Sequence, residues 1–406
     1  MRALVFVSLL TLFIIVMDLY AFRGIQLLVG ETVSGSRILA TLYWGTTALV
    51  FIAVLWAGSR FQQLRDPSRF FGIMVVMGIF LMLYVPKLLF NVLQFTGDAA
   101  SWVIRLFHGR TEPVKAVLVW IGGVSSFLLM IAFGLGMVHE RTHVKVFKET
   151  IPVPDLPEAF EGLRIVQVSD LHLGGFYHHR THIAHVVDQI NGLEPGLLLF
   201  TGDMVHNFAE EVTPFVEILN RLEAPLGKFA ILGNHDYGHY YRWESEDAER
   251  QNLELVKNQI RACGFDLLLN EHRRIRRNGS AIELIGVENW GKPPFPQLGD
   301  LEEAMKGTRP EMIKILLSHD PSHWDQRVRG KEPVILTLAG HTHGMQFGIE
   351  WGRFKWSPSK WTYRHWAGLY RENGQYLYVN RGLGFTGYPG RVGIRPEITL
   401  LTLTRP

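Results

Sequence analysis

The 406-residue sequence contains a single cysteine, Cys263, so no disulfide can form within the chain. One thiol also excludes metal sites built from several thiolates, and the lack of disulfides is typical of a reducing compartment. An excess of charge of one sign is missing too. Lys and Arg number 41 against 38 Asp and Glu, for a net charge of +3. Bulk charge therefore gives little support for nucleic-acid binding, and no nucleic-acid partner is expected.

Long apolar runs are what the first third of the chain has in excess. Four of them predict helices, at about 3–22, 38–57, 70–90 and 116–138. Roughly 20 apolar residues in a helix cross a bilayer core, and a helix satisfies its own backbone hydrogen bonds there. A cleaved signal peptide is the alternative for the first run, but no small-x-small cleavage site follows it. We predict a four-helix transmembrane domain over 1–148 and an α/β domain over 149–406.

The orientation of these spans is predicted from the Lys and Arg residues near their ends, which are enriched on the cytoplasmic side. Seven lie on the side of the C-terminal domain: Arg2, Arg60, Arg65, Arg69, Arg141, Lys145 and Lys148. Five lie on the other side: Arg23, Arg37, Arg105, Arg110 and Lys115. The difference favours a cytoplasmic C-terminal domain.

Two charged residues, Asp18 and Lys87, lie near the ends of the first and third spans. A charge within a membrane is a candidate for a functional site. The alternative, which we favour, is that each reaches interfacial water or pairs locally.

The second part of the chain alternates apolar strands with helical patterns, which indicates sheets covered by helices. Polar residues follow five of these strands directly, in IVQVSDLH, LLLFTGD, FAILGNHD, KILLSHD and ILTLAGHTHG. Loops at strand ends are where α/β folds gather their ligands. We therefore expect the five turns to converge on one site.

The residues in these turns offer carboxylate, imidazole and amide oxygen ligands, a set that suits manganese, iron or zinc. Asp170 and His172 are two residues apart, as are His341 and His343, so each pair shares a face of an extended chain. A carboxylate such as Asp203 can bridge two cations, and two divalent cations can stabilise both the attacking and leaving oxygens of a phosphoryl centre. Each motif alone is weak evidence for a metal site, whereas all five in this order are strong evidence for one.

Taken in order, the five motifs resemble the signature blocks of the calcineurin-like metallophosphoesterase superfamily, over about residues 160–404. The closing YVNRGLGFTGYPGRVGIRPEITLLTL resembles its bacterial membrane-anchored branch, which includes hydrolases of UDP-diacylglucosamine, a lipid-A precursor. This resemblance implies a four-layer αββα sandwich at the bacterial inner membrane. It also implies two divalent metal ions, of unknown identity among Mn, Fe and Zn.

The resemblance further implies a role for each motif residue. Asp170, His172 and His343 would hold one metal, Asn234, His319 and His341 the other, and Asp203 would bridge them. His235 would contact the phosphate and protonate the leaving group, which is general acid catalysis. Asp236 would orient His235 through a hydrogen bond.

Residues outside the motifs are candidates for substrate binding. Arg381 and Arg391, in the glycine-rich tail, could bind a phosphate or pair structurally. Trp351, Trp356, Trp361 and Trp366 recur every five residues, with Lys and Arg between them. That spacing fits neither a helix nor a strand face and predicts an irregular loop. Its composition is typical of a membrane-interface anchor, so Trp351 and Trp356 are candidates for lipid or substrate contact. A small tryptophan-rich core and aromatic interleaving for nucleic acid are the alternatives.

Two functions of different classes follow. The first is a membrane-anchored dimetal phosphoesterase acting on a phosphodiester or pyrophosphate, with a lipid-linked substrate and membrane lipids as partners. The second is a membrane receptor or scaffold whose metal-binding domain holds phosphate ligands without turnover. Every position expected to bind metal is filled, which favours the enzyme.

Overall fold

The computed structural model describes residues 2–29, 37–60, 65–107, 112–352 and 354–406. They divide into two compact units. The first comprises Met1–Arg60 and Ile73–Met137, and the second comprises Phe61–Gly72 and Val138–Pro406. The second unit therefore includes a short segment between two of the apolar runs, which the sequence prediction had placed in the transmembrane domain.

Four long helices carry the apolar runs: α1 Arg2–Val29, α2 Arg37–Arg60, α3 Pro67–Leu106 and α4 Glu112–Val138. Each contains a stretch long and apolar enough to cross a membrane, as predicted. Helix α3 spans 40 residues and passes through Pro86, so it extends well beyond the predicted end at residue 90. Large apolar side chains such as Leu42, Ile52 and Leu128 are exposed on these helices, as expected of surfaces that face lipid.

A cluster of polar side chains surrounds Asp18 within the first unit. The carboxylate is fully buried and accepts hydrogen bonds from the hydroxyls of Tyr43 at 2.7 Å, Thr47 at 3.1 Å and Tyr84 at 2.7 Å. It also forms an ion pair with Lys87. Asp18 and Lys87 therefore pair with each other, which agrees with the interpretation that each charge pairs locally.

The second unit contains two six-stranded sheets and a separate hairpin. One sheet has the strand order β1 (Lys145–Pro152), β14 (Glu397–Thr404), β2 (Arg164–Val168), β3 (Leu197–Phe200), β4 (Lys228–Ala230), β5 (Asp266–Leu267). The other has the order β12 (Gly368–Glu372), β13 (Gln375–Val379), β9 (Leu336–Ala339), β8 (Lys314–Leu317), β7 (Ser280–Gly286), β6 (Glu271–Arg277). The hairpin pairs β10 (Ile349–Trp351) with β11 (Phe354–Trp356).

The two sheets pack face to face. Ile165 and Leu199 of the first sheet and Leu317 and Leu338 of the second belong to one buried apolar cluster. The helices of this unit are α5 Arg180–Asn191, α6 Val216–Asn220, α7 Glu246–Ala262 and α8 Leu301–Met305. Helix α8 and the segment around Trp324 pack on the other side of the second sheet, in a separate cluster. The layered α/β fold is confirmed.

Strand β1 begins at Lys145, before the domain boundary predicted at residue 149. It pairs in parallel with β14 over its whole length, from Lys145 opposite Glu397 to Pro152 opposite Thr404. Its pattern KVFKETIP has too little alternation to predict a strand, and its partner lies some 250 residues away along the chain. Tertiary pairing, not local pattern, makes this segment a strand.

The irregular loop predicted for 351–366 is wrong in its first part. Ile349–Trp351 and Phe354–Trp356 form an antiparallel hairpin, followed by a short 3-10 helix at Pro358–Trp361. The spacing of five matches no single regular element because the segment changes conformation from strand to turn to 3-10 helix. Trp366 is buried against Ala367 and Ile394, so the tryptophans divide between a small core and the surface.

Candidate metal centre

The motif residues follow the carboxyl ends of five strands. Asp170 and His172 follow β2, Asp203 follows β3, and Asn234 follows β4; His319 follows β8, and His341 and His343 follow β9. The first three strands are parallel neighbours in one sheet, and β8 and β9 are parallel neighbours in the other. Because parallel strands end at the same edge, each sheet brings its polar turns to one place, and packing of the two sheets joins them.

Backbone strain is concentrated in these turns. Five motif residues have left-handed φ values: Asp170 (52°), His172 (44°), Asp203 (61°), His341 (70°) and His343 (48°). Such a conformation costs on the order of 1–3 kcal/mol at a residue other than glycine and is typical of functional sites. Gly340 has a related role, because a Cβ atom there would overlap Ser169 and the carboxylate of Asp170.

The first group of candidate ligands consists of Asp170, His172 and His343, whose ligand atoms all lie within 4.8 Å of one another. His343 Nε2 lies 3.2 Å from Asp170 Oδ1 and 3.1 Å from His172 Nε2. The Nδ1 atom of His172 lies 3.1 Å from the carbonyl of Val205, which can only accept a hydrogen bond. His172 therefore carries its proton on Nδ1, and its Nε2 lone pair points toward the other ligands.

The second group consists of Asp203, His319 and His341. His319 donates from Nδ1 to the carbonyl of Thr201 at 2.7 Å, which leaves Nε2 facing Asp203 Oδ2 at 3.2 Å. Asn234 Oδ1 lies 3.2 Å from His319 Nε2 and 2.7 Å from His341 Nδ1.

Asp203 lies between the two groups. Its Oδ2 is 3.2 Å from His319 Nε2 in one group and 3.7 Å from His172 Nε2 in the other. Burial raises the pKa of Asp203, but its interactions with the imidazoles of His319 and His235 outweigh burial and hold the pKa well below its usual value. The carboxylate is therefore ionised and lies between the two groups of candidate ligands.

The donor set fits two cations of the predicted kind. Its ligand atoms are imidazole nitrogens and carboxylate and amide oxygens, a set that suits Mn, Fe or Zn. Burial lowers the pKa of His172 and of His341, so both rings are neutral and can offer a lone pair. Anchoring the second nitrogen of a ligating histidine to a carbonyl is also the usual arrangement around protein-bound metals.

Comparison with known proteins shows the family of the chain. Residues 1–141 match the family described as "Probable Calcineurin-like phosphoesterase, transmembrane domain", and residues 163–345 match "Calcineurin-like phosphoesterase". The chain is 31% identical over 278 residues to the uncharacterized metallophosphoesterase YkuE of Bacillus subtilis, covering 67% of this chain and 89% of that protein. The chain belongs to the calcineurin-like phosphoesterase family. It is accordingly a metal-dependent phosphoester hydrolase with a membrane portion.

Two further relatives are similar to part of this chain. A transmembrane protein with metallophosphoesterase domain from Danio rerio is 31% identical over 66% of this chain and 59% of its own length. The UDP-2,3-diacylglucosamine pyrophosphatase LpxG of Chlamydia trachomatis is 29% identical over 57% of this chain and 81% of its own length. The chain thus spans only about three fifths of the Danio relative.

His235, the predicted proton donor of the phosphoesterase, lies beside the first group. Its ring is within reach of His172 and Asp203, and its Nδ1 donates to the carbonyl of His206 at 2.9 Å. Only Nε2 is then free to face a substrate. Burial lowers the pKa of His235, and the charge of Asp203 raises it in part.

The predicted hydrogen bond from Asp236 to the His235 ring is wrong. Among the described residues, the Asp236 carboxylate instead accepts backbone N–H groups of the Asp203, Met204, Val205 and Gly233 positions. Burial and the charge of Asp203 raise the pKa of Asp236 to about 7, opposed by these N–H donors. Asp236 therefore fixes the turn that carries Asp203, and the His206 carbonyl takes over the orienting role.

Sequence reasoning missed three residues of this site. The hydroxyl of Tyr240 accepts a hydrogen bond from Asn234 Nδ2 at 2.8 Å, and the hydroxyl of Tyr363 lies 2.8 Å from His341 Nε2. Glu211 is buried and accepts N–H donors from the loop at His206. Tyr240 was within reach of prediction, since it follows GNHD by four residues; nothing in the local sequence marks Tyr363 or Glu211.

The arginines proposed for substrate binding are engaged elsewhere. Arg381 is buried, pairs with Glu350 and Glu397 at 2.6 Å each, and stacks on Phe147. Arg391 is fully buried and donates to the carbonyls of Arg381 and Gly382. Substrate binding by either stays a prediction, and these contacts argue against it because neither guanidinium faces solvent. Trp351 is exposed and Trp356 half-buried.

Proposed function

We propose that the protein hydrolyses a phosphodiester or pyrophosphate at a membrane surface, using two divalent cations held by Asp170, His172, Asp203, Asn234, His319, His341 and His343. The observation that carries this proposal is the position of Asp203 between two groups of ligands whose lone pairs converge. When bound, two divalent cations would supply an activated water and stabilise the charge that develops on the phosphoryl oxygens.

The residues of the chain contribute positioning and proton transfer. The Asp236 carboxylate accepts hydrogen bonds from the backbone N–H groups of Asp203 and Gly233. These bonds hold the turn that bears Asp203, so the bridging carboxylate has one orientation. His235, fixed through Nδ1, presents Nε2 to the phosphoryl group and, when protonated, donates its proton to the leaving oxygen. The hydroxyls of Tyr240 and Tyr363 orient Asn234 and His341, respectively.

The substrate we propose is lipid-linked. Two features support it: four helices able to cross a membrane, and similarity to a Chlamydia enzyme named for the hydrolysis of UDP-2,3-diacylglucosamine. The proposed setting is a bacterial inner membrane with the phosphoesterase domain on the cytoplasmic side, motivated by the excess of Lys and Arg at that side of the spans. A reporter fused after Pro406 tests the side, and activity of a periplasmic reporter there would contradict it.

The enzyme proposal is tested by turnover. Full-length protein in detergent is assayed on bis-p-nitrophenyl phosphate and on lipid pyrophosphates, with added manganese, against the Asp203→Ala variant. Asp188→Ala is the matched control, since Asp188 is an exposed surface residue paired with Arg221. We expect wild-type and control to turn over alike and Asp203→Ala to be inactive, and a chelator to abolish activity that manganese restores. Equal rates in wild-type and Asp203→Ala on every substrate would refute the proposal.

A phosphate-binding receptor without turnover is the second candidate. Its distinguishing result is saturable binding of the lipid pyrophosphate to wild-type protein, lost in Asp203→Ala, with no hydrolysis at any metal tested.

A further inference from the structure

The hairpin β10–β11, with the residues just before and after it, carries a cluster of exposed large apolar side chains. Among the described residues after Val138, eight large apolar side chains are exposed. Five of them lie within 345–361: Met345, Ile349, Trp351, Phe354 and Trp361. Trp351 is 85% exposed and Trp361 is 74% exposed. A concentration of this kind marks an interaction surface; we call Ile349–Trp361 the aromatic hairpin.

The aromatic hairpin is amphipathic, with its apolar face outward. Directly opposed residues of an antiparallel pair share a face. Ile349 opposes Trp356 and Trp351 opposes Phe354, which makes one face apolar, whereas Glu350 opposes Lys355 on the other. An ordinary surface hairpin buries its apolar face and exposes the polar one, and here the arrangement is reversed.

The polar face is anchored to the domain. Glu350 pairs with the buried Arg381 at 2.6 Å, and Lys355 bonds the carbonyl of Ala367 and the hydroxyl of Tyr370. After the hairpin, Ser357 donates to the carbonyl of Gly344 at 2.6 Å. These contacts hold the hairpin in place, so exposure of the apolar face does not arise from a loose loop.

The aromatic hairpin adjoins the candidate metal centre. It begins six residues after His343, and Tyr363, two residues beyond its end, contacts His341 Nε2 through its hydroxyl at 2.8 Å. The segments on both sides of the hairpin therefore connect it directly to the candidate metal centre.

The occupant we infer is the lipid bilayer. Exposed Lys360 and Arg364 flank the aromatic side chains, and basic residues beside tryptophan complement anionic headgroups at the membrane interface. The chain also carries four helices able to cross a membrane, which keeps this unit within reach of one. We propose that the apolar face of the aromatic hairpin inserts into the interfacial layer of that membrane. That it thereby brings the site to a lipid-borne phosphate rests on the proposed function; the insertion itself does not.

Site-directed fluorescence tests the insertion without any turnover. The one native thiol, Cys263, is buried, and burial raises its pKa to about 12, so an added surface cysteine can be labelled selectively. Trp351→Cys, Phe354→Cys and Leu255→Cys variants of the full chain are labelled with an environment-sensitive dye. Leu255 is the matched control because it is 48% exposed on helix α7. Each protein is placed, one per nanodisc, in phosphatidylcholine with phosphatidylglycerol, with and without nitroxide-labelled lipid.

We expect labels at 351 and 354 to shift to the blue and to be quenched by the nitroxide lipid, since an inserted apolar face lies roughly 5–10 Å into the headgroup and acyl boundary. The label at 255 should show neither change. Quenching at 351 and 354 no greater than at 255 would overturn the proposal. So would a blue shift without quenching, because another part of the protein would then cover the face. Loss of turnover in the separate activity assay would affect only the proposed function.

Discussion

The imidazole of His235 and the backbone carbonyl of His206 are joined by a hydrogen bond of 2.9 Å. That carbonyl belongs to a loop held by Glu211, whose carboxylate accepts the backbone N–H groups of His206, Asn207 and Phe208. The proposed proton donor is thus positioned by a main-chain group, and the main chain is positioned by a buried acid. The side-chain contact expected from Asp236 is not needed for this.

Substitution of His235 by Asn should separate proton donation from metal binding. We expect kcat to fall by roughly 10²–10⁴ on substrates with a poor leaving group, the usual range for a lost general acid. The loss should be far smaller with p-nitrophenolate, which leaves without protonation. Metal content should not change, as measured on the purified protein. His239→Asn is the control, since His239 pairs with Glu249 at the surface; an equal loss on both substrates would contradict the role.

Substitution of Glu211 by Gln should destabilise the domain in a pH-dependent way. Burial raises the pKa of Glu211, but hydrogen bonds and charge from His206 outweigh it and hold the pKa below its usual value. A carboxylate whose pKa is lower in the folded than in the unfolded state stabilises the folded protein at pH values above the unfolded-state pKa, near 4.5. This stabilisation is lost as the pH falls through the folded-state pKa.

We therefore expect Glu211→Gln to cost about 1–3 kcal/mol at pH 7, the range for a buried donor left unsatisfied, and the difference from wild type to shrink only as pH falls below about 4.5. Unfolding of the full chain in detergent measures it. Glu210→Gln is the matched control because Glu210 is exposed and pairs with surface Arg65. A pH-independent difference would argue against this account.

Substitution of Arg391 by Met tests whether this arginine is structural. Its guanidinium donates to the carbonyls of Arg381 at 2.7 Å and Gly382 at 3.0 Å and also to that of Gly384. Leaving these buried carbonyls unpaired should cost about 3 kcal/mol or more, seen as earlier unfolding than for Arg395→Met at an exposed site. A raised KM with unchanged stability would instead support substrate binding by Arg391.

The Asp18–Lys87 pair predicts non-additive effects in the membrane portion. Removing one partner of a buried ion pair costs about 3–5 kcal/mol, and removing both costs less than the sum. Asp18 keeps hydroxyl partners on Tyr43, Thr47 and Tyr84, so Asp18→Asn should remain folded enough to measure. Unfolding of Asp18→Asn, Lys87→Met and the double variant in detergent checks this; strictly additive losses would show that the pair is not coupled.

The sequence by itself determined the features that depend on local chemistry. The four apolar helices follow from run length alone, because a helix in lipid needs only its own hydrogen bonds. The strands before DLH, TGD, GNHD, SHD and GHTHG follow from apolar patches bounded by glycine and polar residues. These elements carry their signal within a few neighbouring residues, and with them the list of candidate ligands.

Only the tertiary structure decided how those residues are oriented and what supports them. The tautomer of His172 is set by the Val205 carbonyl, and the orientation of His235 by that of His206. The pairing of β1 with β14 joins segments some 250 residues apart. The outward orientation of the apolar face of the hairpin depends on the ion pair between Glu350 and Arg381. Contacts of this kind join positions distant along the chain, whose geometry exists only after the two sheets have packed, so no local pattern records them.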